Sequence, residues 1–311
     1  RPVNIGFGLW TQGVDWPAVA EAAKTIDRLG YDHLWIWDHH LPPFGDPDRG
    51  ILEGWTTITA CAALTRHATV GLLVGENTFH QPAYHAKMVT TLDHVSGGRA
   101  ILGLGSAWWE PEHTAYGVEF GASIGQRLDW MDEAAAIIRP LLAGEEVTHA
   151  GDHYSVKALT LRPRPVQKRL PILIGGGGER KTLRTVAKYA DMWNAFGSLE
   201  GLGHKLDVLR EHCAAVGRDP AEISPSVECK ILIRDDEASA RAAWGAILAA
   251  NGMAYEEGVD TWLGSPAQIA ERMLAFKALG FEAIMTWMPA PYDVETFERL
   301  IGEVRPLVQK S

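Results

Sequence analysis

The chain has 311 residues, of which 46% are hydrophobic and 22% are charged, as in an ordinary globular protein. Its 39 acidic and 29 basic side chains give a formal net charge of −10, and no long basic run occurs. Because nucleic acids and anionic membranes are bound through clustered Lys and Arg, this balance argues against both as partners. No apolar run approaches the ~20 residues of a membrane-spanning helix, and the first residues do not resemble a signal peptide.

The three cysteines are far apart and form no CxxC pair: Cys61, Cys213 and Cys229. This set argues against a disulfide framework or a zinc knuckle and favours a reducing compartment, so we expect a cytoplasmic protein. The histidine pairs His80 with His85 and His149 with His153 lack an HExxH or other strong ligand spacing, so we expect no metal site.

Short apolar runs alternate with longer amphipathic segments in the first third of the chain. The helix that Asp15 caps is predicted to stop at Gly30. The strands are nearly continuous in apolar residues, as a parallel sheet buried on both faces requires. We predict strands at residues 3–10, 31–38, 68–74 and 100–105, and helices at 15–29, 55–65 and 83–95.

The alternation pauses and then resumes. Residues 106–124 are predicted as a long loop, 146–161 as a small hairpin and 251–264 as an irregular stretch. We predict strands at residues 170–174, 191–195, 226–233 and 281–288, and helices at 126–142, 179–189, 201–216, 237–250, 266–279 and 294–308.

Eight successive β-then-α units predict a closed (β/α)₈ TIM barrel, with an open doubly wound sheet as the alternative. No shift in composition marks a domain boundary, so residues 1–311 are predicted to form one domain. In such barrels the functional groups lie on the loops that follow the strands. We therefore expect the functional groups of this chain on the loops that follow its predicted strands.

Four consecutive glycines follow the apolar strand at residues 170–174: Gly175, Gly176, Gly177 and Gly178. Such a turn lets backbone N–H groups approach an anion, and the start of the following helix adds its positive dipole. Arg180 or Lys181 supplies a cation. The pattern is not GxGxxG, so it predicts a phosphate site of another kind, with a plain flexible turn as the alternative.

Asp38, His39 and His40 end the second predicted strand. A histidine at a barrel mouth can act as a general acid or base, and a neighbouring carboxylate such as Asp38 can fix its tautomer. His39 is the candidate catalytic residue. His40 is the weaker candidate because adjacent strand residues face opposite sides.

Tryptophan is abundant, with 12 in the chain, and several lie near predicted strand ends. Planar apolar side chains suit a polycyclic ring, although they are also ordinary core material. The predicted walls of a substrate pocket are Trp10, Trp108 and Trp287.

The stretch SGGRAILGLGSAW at residues 96–108, continuing into EHTAYG at 112–117, resembles the fourth-strand signature of the bacterial luciferase-like superfamily. The subgroup that it resembles uses the deazaflavin coenzyme F420. Residues 71–74 and 78–83 are similar to the family's third strand and following helix, and residues 174–180 and 190–194 to its fifth and sixth strands. The resemblance extends over nearly the whole chain.

The resemblance implies a (β/α)₈ barrel that holds its cofactor ring at the C-terminal mouth. It also implies a non-prolyl cis peptide within residues 72–74, expected at Leu72–Leu73, and a homodimer in which early helices meet, with Ala22, Ala60, Ala62 and Ala63 as close-contact candidates. Asp38 and His39 match a pair that faces ring and substrate. The implied cofactor-binding residues are Leu72, Leu73, Val74, Asn77, Ser106, Gly175, Gly176, Gly177, Gly178, Arg180 and Asn194.

The implied activity is hydride transfer between F420 and a small organic substrate, with His39 giving or taking a proton. The alternative within the superfamily is an FMN-dependent monooxygenase that uses reduced FMN and O₂. A barrel lyase or isomerase and a non-catalytic flavin-binding barrel are further alternatives. The related sugar-phosphate dehydrogenases place a Lys near the cofactor phosphate after the sixth strand, where this chain has Ser198.

Overall fold

The computed structural model describes residues 2–310. Its strands are β1 (Asn4–Leu9), β2 (His33–Ile36), β3 (Thr69–Leu72), β4 (Gly75–Glu76), β5 (Ala100–Gly105), β6 (Val147–Ala150), β7 (Ser155–Leu159), β8 (Ile172–Gly175), β9 (Met192–Ala195), β10 (Ser224–Ile233), β11 (Thr261–Gly264) and β12 (Ala283–Met288). Its α-helices are α1 (Trp16–Leu29), α2 (Gly54–Leu64), α3 (Pro82–Ser96), α4 (Glu110–Tyr116), α5 (Ile124–Leu142), α6 (Thr182–Tyr189), α7 (Leu199–Val216), α8 (Glu237–Ala250), α9 (Pro266–Leu279), α10 (Val294–Arg299) and α11 (Arg305–Gln309).

Eight parallel strands close into a barrel. Strand β1 pairs with β2 on one side and with β12 on the other, and the circuit runs on through β3, β5, β8, β9 and β10 back to β12. The (β/α)₈ prediction is therefore confirmed, and the open doubly wound sheet is excluded. Strand β11 lies outside the circuit and pairs with the second half of β10.

Three predicted segments differ from the structure. The predicted loop 106–124 contains α4, and the irregular stretch 251–264 ends in β11. The predicted closing helix is divided into α10 and α11 by a π-helical turn at Leu300–Val304. A seven-residue helix and a four-residue strand are too short to show a hydrophobic period, which is why the pattern of apolar residues missed both.

Local sequence explains most of the helix ends. Helix α1 begins where the Asp15 side chain accepts a hydrogen bond from the backbone of Ala18, and it ends at Gly30, whose φ is 86°. Ser265 forms a capping box with Gln268 at the start of α9. The buried core then joins the two ends of the chain, since Phe7 on β1 packs edge-on against Phe297 of α10.

The third strand is interrupted by a bulge at Leu73 and Val74, after which β4 pairs with β5. The peptide bond between these two residues is cis. It lies within the range expected from the resemblance, one bond later than Leu72–Leu73. A Cβ on Gly103 would lie 1.8 Å from the Leu72 carbonyl oxygen. The close approach of β5 to the end of β3 therefore requires glycine at position 103.

The side chain of Val74 enters a space that two further glycines leave open. A Cβ on Gly105 would lie 2.4 Å from Val74 Cγ2, and one on Gly175 would lie 2.9 Å from Val74 Cγ1. Because Gly105 and Gly175 are the last residues of β5 and β8, the bulge presents Val74 at the carboxyl ends of the barrel strands. Within residues 2–310, no helix is long and apolar enough to cross a membrane.

Candidate active site

His39 follows β2 and forms a buried pair with a carboxylate that comes from a different segment. Its Nδ1 lies 2.7 Å from Oε1 of Glu112 on α4. The second oxygen of Glu112 accepts hydrogen bonds from the backbone N–H groups of His40 at 2.7 Å and Leu41 at 3.4 Å. If Nδ1 carries the proton donated to the carboxylate, Nε2 is left as a free acceptor, the arrangement required of a general base.

Asp38 does not hold His39. Its Oδ2 accepts hydrogen bonds from the backbone N–H of Glu76 at 2.9 Å and from Nε2 of His80 at 3.0 Å. Burial acts to raise the pKa of Asp38, but these hydrogen bonds outweigh it and leave the pKa below its usual value. Glu112, and not Asp38 as predicted, therefore contacts the His39 ring. Asp38 instead binds the backbone of Glu76, just after the bulge in the third strand.

Glu76, at the end of β4, is the third buried carboxyl group of this site. Its Oε1 lies 3.9 Å from Nδ1 of His39, and its Oε2 lies 3.7 Å from Nε2 of His113. Burial, and then the nearby charges of Glu112 and Asp38, raise the pKa of Glu76 well above its usual value.

One ligand atom each from His39, Glu76 and Glu112 lies within 4.8 Å of the others, a grouping that could hold a metal ion. No sequence spacing indicates this cluster, because its members come from three separate segments that only the barrel brings together.

Aromatic rings form a wall beside His39. Trp10 stacks on Trp37 with ring centroids 4.6 Å apart and on Phe44 at 5.2 Å. Phe44 in turn stacks on Trp108 at 5.8 Å, and Trp108 is 54% exposed. Two of the predicted pocket residues, Trp10 and Trp108, thus belong to one wall that runs from the barrel interior to solvent. Sequence analysis missed Phe44, which lies in a loop rich in Pro and Gly.

Trp287, the third predicted pocket residue, lies 6.4 Å from Trp37 between ring centroids. Its side chain also hydrogen-bonds Glu228 on β10. Burial raises the pKa of Glu228 to about 7, against the opposing effects of the Trp287 bond and the charge of Lys230. Glu228 was not predicted, since a single carboxylate inside a strand carries no sequence signal of its own.

The glycine turn lies at the same end of the barrel. Gly175 ends β8, Gly176 and Gly178 are exposed, and φ of Gly176 is 116°, in the region that favours glycine. Helix α6 begins at residue 182, three residues later than predicted, and no side chain caps its first turn. The Leu183 N–H donates to the Gly178 carbonyl oxygen, so only the other N–H groups at the start of the helix are available to an anion.

The cations beside the glycine turn differ from those expected. Lys181 is bound to Asp129 at 2.7 Å, whereas Arg180 is exposed. Nζ of Lys205, on α7, donates to the Gly177 carbonyl oxygen. Ser198 caps α7 by accepting from the backbone of Gly201. Position 198 is therefore a helix cap, and the cation beside the glycine turn is Lys205, which sequence analysis did not predict.

The remaining predicted cofactor residues surround the mouth. Asn77 is buried and donates from Nδ2 to the Tyr154 hydroxyl at 3.0 Å, while its Oδ1 has no protein partner among the described residues. Asn194 donates from Nδ2 to Ser226 at 3.0 Å. Ser106 is half-buried after β5. Leu72 and Leu73 are buried in the barrel wall behind Val74.

A closed (β/α)₈ barrel with titratable side chains, an aromatic wall and a glycine turn at its C-terminal mouth is the arrangement of a barrel enzyme. The family model described as luciferase-like monooxygenase matches residues 5–261. The chain belongs to this luciferase-like family of oxidoreductases.

Relatives within the family are named for two coenzymes. An F420-dependent glucose-6-phosphate dehydrogenase of Kineococcus radiotolerans is 29% identical, covering 77% of this chain and 71% of that protein. An FMNH(2)-dependent dimethylsulfone monooxygenase of Pseudomonas putida is 28% identical, covering 74% and 71%. The solved structure of an F420-dependent secondary alcohol dehydrogenase, with an F420-acetone adduct, superimposes with a TM-score of 0.84 at 18% identity and covers 99% of both chains.

Proposed function

We propose that this protein transfers a hydride between coenzyme F420 and a small organic substrate, with His39 as its general acid and base. The observation that carries the proposal is the His39–Glu112 pair, which leaves Nε2 of His39 free beside the aromatic wall. The F420-dependent relative and the F420-dependent structural neighbour support the choice of coenzyme.

The residues present fit a flavin-like cofactor that carries a phosphate group. Val74 projects between two glycines at the strand ends and offers an apolar surface on which a ring can rest. The exposed glycines, the uncapped start of α6, Arg180 and Lys205 would hold the phosphate. Asn77 would direct its unpartnered Oδ1 to a ring or ribityl donor. When bound, the deazaflavin ring supplies the carbon that accepts or gives the hydride.

The side chains of the protein would accept and donate the proton that accompanies the hydride. In the direction of oxidation, Nε2 of His39 takes the proton from the substrate hydroxyl as the hydride leaves, and the carboxylate of Glu112 stabilises the resulting imidazolium. In the reverse direction the imidazolium returns the proton. The wall formed by Trp10, Trp37, Phe44 and Trp108 would shield the reacting atoms from water and line the substrate pocket.

His39→Ala is expected to lower the rate of single-turnover oxidation of bound reduced cofactor by about 10² to 10⁴-fold, because general acid–base catalysis typically accelerates a reaction by that factor. Cofactor affinity should change little, since the phosphate residues are untouched. Stopped-flow absorbance measures both. His67→Ala, at an exposed position, is the matched control. An unchanged single-turnover rate in His39→Ala would contradict the assigned role.

The second candidate function is that of an FMN-dependent monooxygenase, which the FMNH(2)-dependent relative from P. putida favours. Fluorescence quenching titrations with F420 and with FMN, followed by oxygen uptake in the presence of the reduced cofactor, separate the two functions. Tight binding of F420 without oxygen uptake supports hydride transfer. Preference for FMN with oxygen uptake supports the monooxygenase, and saturable binding of neither contradicts both.

We further propose a homodimer that forms through the α2 and α3 faces in the cytoplasm. A groove of about 570 Å³ lies between these helices, and Ala60, Ala63, Met88 and Val95 are among the residues that line it. Tyr84 on α3 is 72% exposed. Exposed apolar surface of this kind is typical of an interface. Ala22 and Ala62 are buried in the core instead.

A further inference from the structure

The site contains three buried carboxyl groups, and two of them have hydrogen-bond donors. Asp38 accepts from His80 and from the backbone of Glu76. Glu112 accepts from His39 and from two backbone N–H groups. Glu76 is only 4% exposed, and its Oε2 has no hydrogen-bond partner among the described residues. A buried carboxylate oxygen without a donor is costly, so the state of Glu76 requires an explanation.

The charged and titratable groups around Glu76 come from each element that faces it. His39 and Asp38 follow β2, Glu112 and His113 belong to α4, and Arg127 belongs to α5. The two histidine nitrogens lie 3.9 Å and 3.7 Å from its oxygens, beyond hydrogen-bond range.

His113 has no proton to offer Glu76. Its Nδ1 lies 2.9 Å from the Trp109 carbonyl oxygen and must donate to it, and burial lowers the pKa of the ring. Its Nε2 is then an acceptor, which takes the Thr78 hydroxyl at 2.7 Å. The Arg127 guanidinium stacks on the Phe120 ring, 3.7 Å from its centroid, and donates to the Phe120 carbonyl oxygen.

We propose that Glu76 carries a proton at neutral pH and so leaves His39 beside one carboxylate, Glu112, instead of two. Glu76 is then a positioning residue that keeps the His39 imidazole neutral, with Nε2 free to accept a proton. The inference rests on the proposed function for the use of that free nitrogen. The protonation state of Glu76 can be measured in the cofactor-free protein, and that measurement does not require the proposed function.

The alternative states of this cluster would behave differently. Two carboxylates around one imidazole would favour the imidazolium, and a protonated His39 cannot serve as the base. A divalent cation shared by His39, Glu76 and Glu112 would also neutralise the charges, at the cost of the 2.7 Å hydrogen bond between His39 and Glu112. Burial and the like charges of Glu112 and Asp38 both act toward the protonated form of Glu76.

Infrared spectroscopy of the cofactor-free protein in D₂O tests the proton directly. A carboxylic-acid C=O band is expected at pH 7 in a Glu228→Gln background, which removes the other carboxyl group whose pKa is raised to near this pH. The band should disappear on adding Glu76→Gln and remain on adding Glu110→Gln, at an exposed position of α4. Absence of the band in the Glu228→Gln protein, or one equivalent of bound metal in the wild-type protein as purified, would overturn the proposal.

The pH profile of kcat/KM tests the consequence for His39. Glu76→Gln imitates the protonated acid, so the pH at which activity falls on the acid side should be unchanged. If Glu76 were ionised, the Gln substitution would remove a negative charge from beside His39. The pH at which activity falls on the acid side would then move lower by roughly one to three units. Such a shift would overturn the proposal. If the protein shows the infrared band but no F420-dependent activity, the proposed function is contradicted and the proposal for Glu76 is not.

Discussion

At the scale of single residues, Glu228 is a carboxyl group whose ionisation falls at physiological pH. Its pKa of about 7 in the folded protein exceeds the value of about 4.3 expected in an unfolded chain. The folded protein therefore holds a proton that the unfolded chain releases between these two pH values, and stability falls as pH rises through that window. Below about pH 4.3 the Glu228 carboxyl group is protonated in both states and does not change the stability of the protein.

Glu228→Gln is expected to abolish this dependence. The wild-type protein should lose at most about 1.4 kcal/mol per pH unit between about pH 4.3 and 7 relative to the variant, with no further divergence above pH 7. Thermal unfolding at pH 4.5 to 8 measures the difference, with Glu145→Gln at an exposed position as control. Parallel pH curves for wild-type and Glu228→Gln proteins would show that Glu228 ionises normally. The tryptophan emission of the wild type should also titrate near pH 7, because Trp287 bonds Glu228.

Sequence analysis could identify candidate residues at the barrel mouth but not the side chains that contact them. His39 was predicted because it follows a strand, and the glycine turn because four glycines open a helix. The partner of His39 was predicted as Asp38, its neighbour in sequence. The structure supplies Glu112, which is 73 residues away. Contacts of this range depend on how the barrel closes, and Lys205, which approaches Gly177 from α7, was missed for the same reason.

At the scale of elements, the bulge in the third strand depends on glycine at position 103. Gly103→Ala is expected to destabilise the protein by about 1–3 kcal/mol or more, because the new Cβ would meet the Leu72 carbonyl oxygen, which is backbone and cannot turn aside. Urea unfolding measures this loss. Gly50→Ala is the matched control, since a Cβ there meets nothing within 4 Å. Equal stability of the two variants would contradict the packing described for β3 and β5.

The regular elements were predicted from periodicity and end signals, and their bounds agree with the structure to within about three residues for most strands and helices. The exceptions are informative. Helix α4 has two turns and begins with Glu110 and Pro111, so it shows end signals but no apolar stripe. This short helix carries Glu112 and His113. The part of the chain that lacked a readable pattern thus contributes the central carboxylate of the candidate site.

At the scale of the whole molecule, the proposed homodimer makes a direct prediction. Ala63→Glu places a charge in the groove between α2 and α3 and is expected to shift the protein from dimer to monomer, because an unpaired charge is costly to bury. Sedimentation velocity at micromolar concentration measures the change. Ala214→Glu, at an exposed position of α7, should remain dimeric. A wild-type protein that sediments as a monomer would contradict the interface.

The packing of Val74 between Gly105 and Gly175 has a consequence for the divergence of related sequences. The three residues come from the bulge after β3 and from the ends of β5 and β8, yet the Val74 side chain occupies the space that a side chain at either glycine would need. A larger residue at either glycine can be accepted only with a smaller one at position 74, so substitutions at these positions should be correlated among homologues. Most single changes here would be removed by selection, and drift would have to proceed through paired replacements.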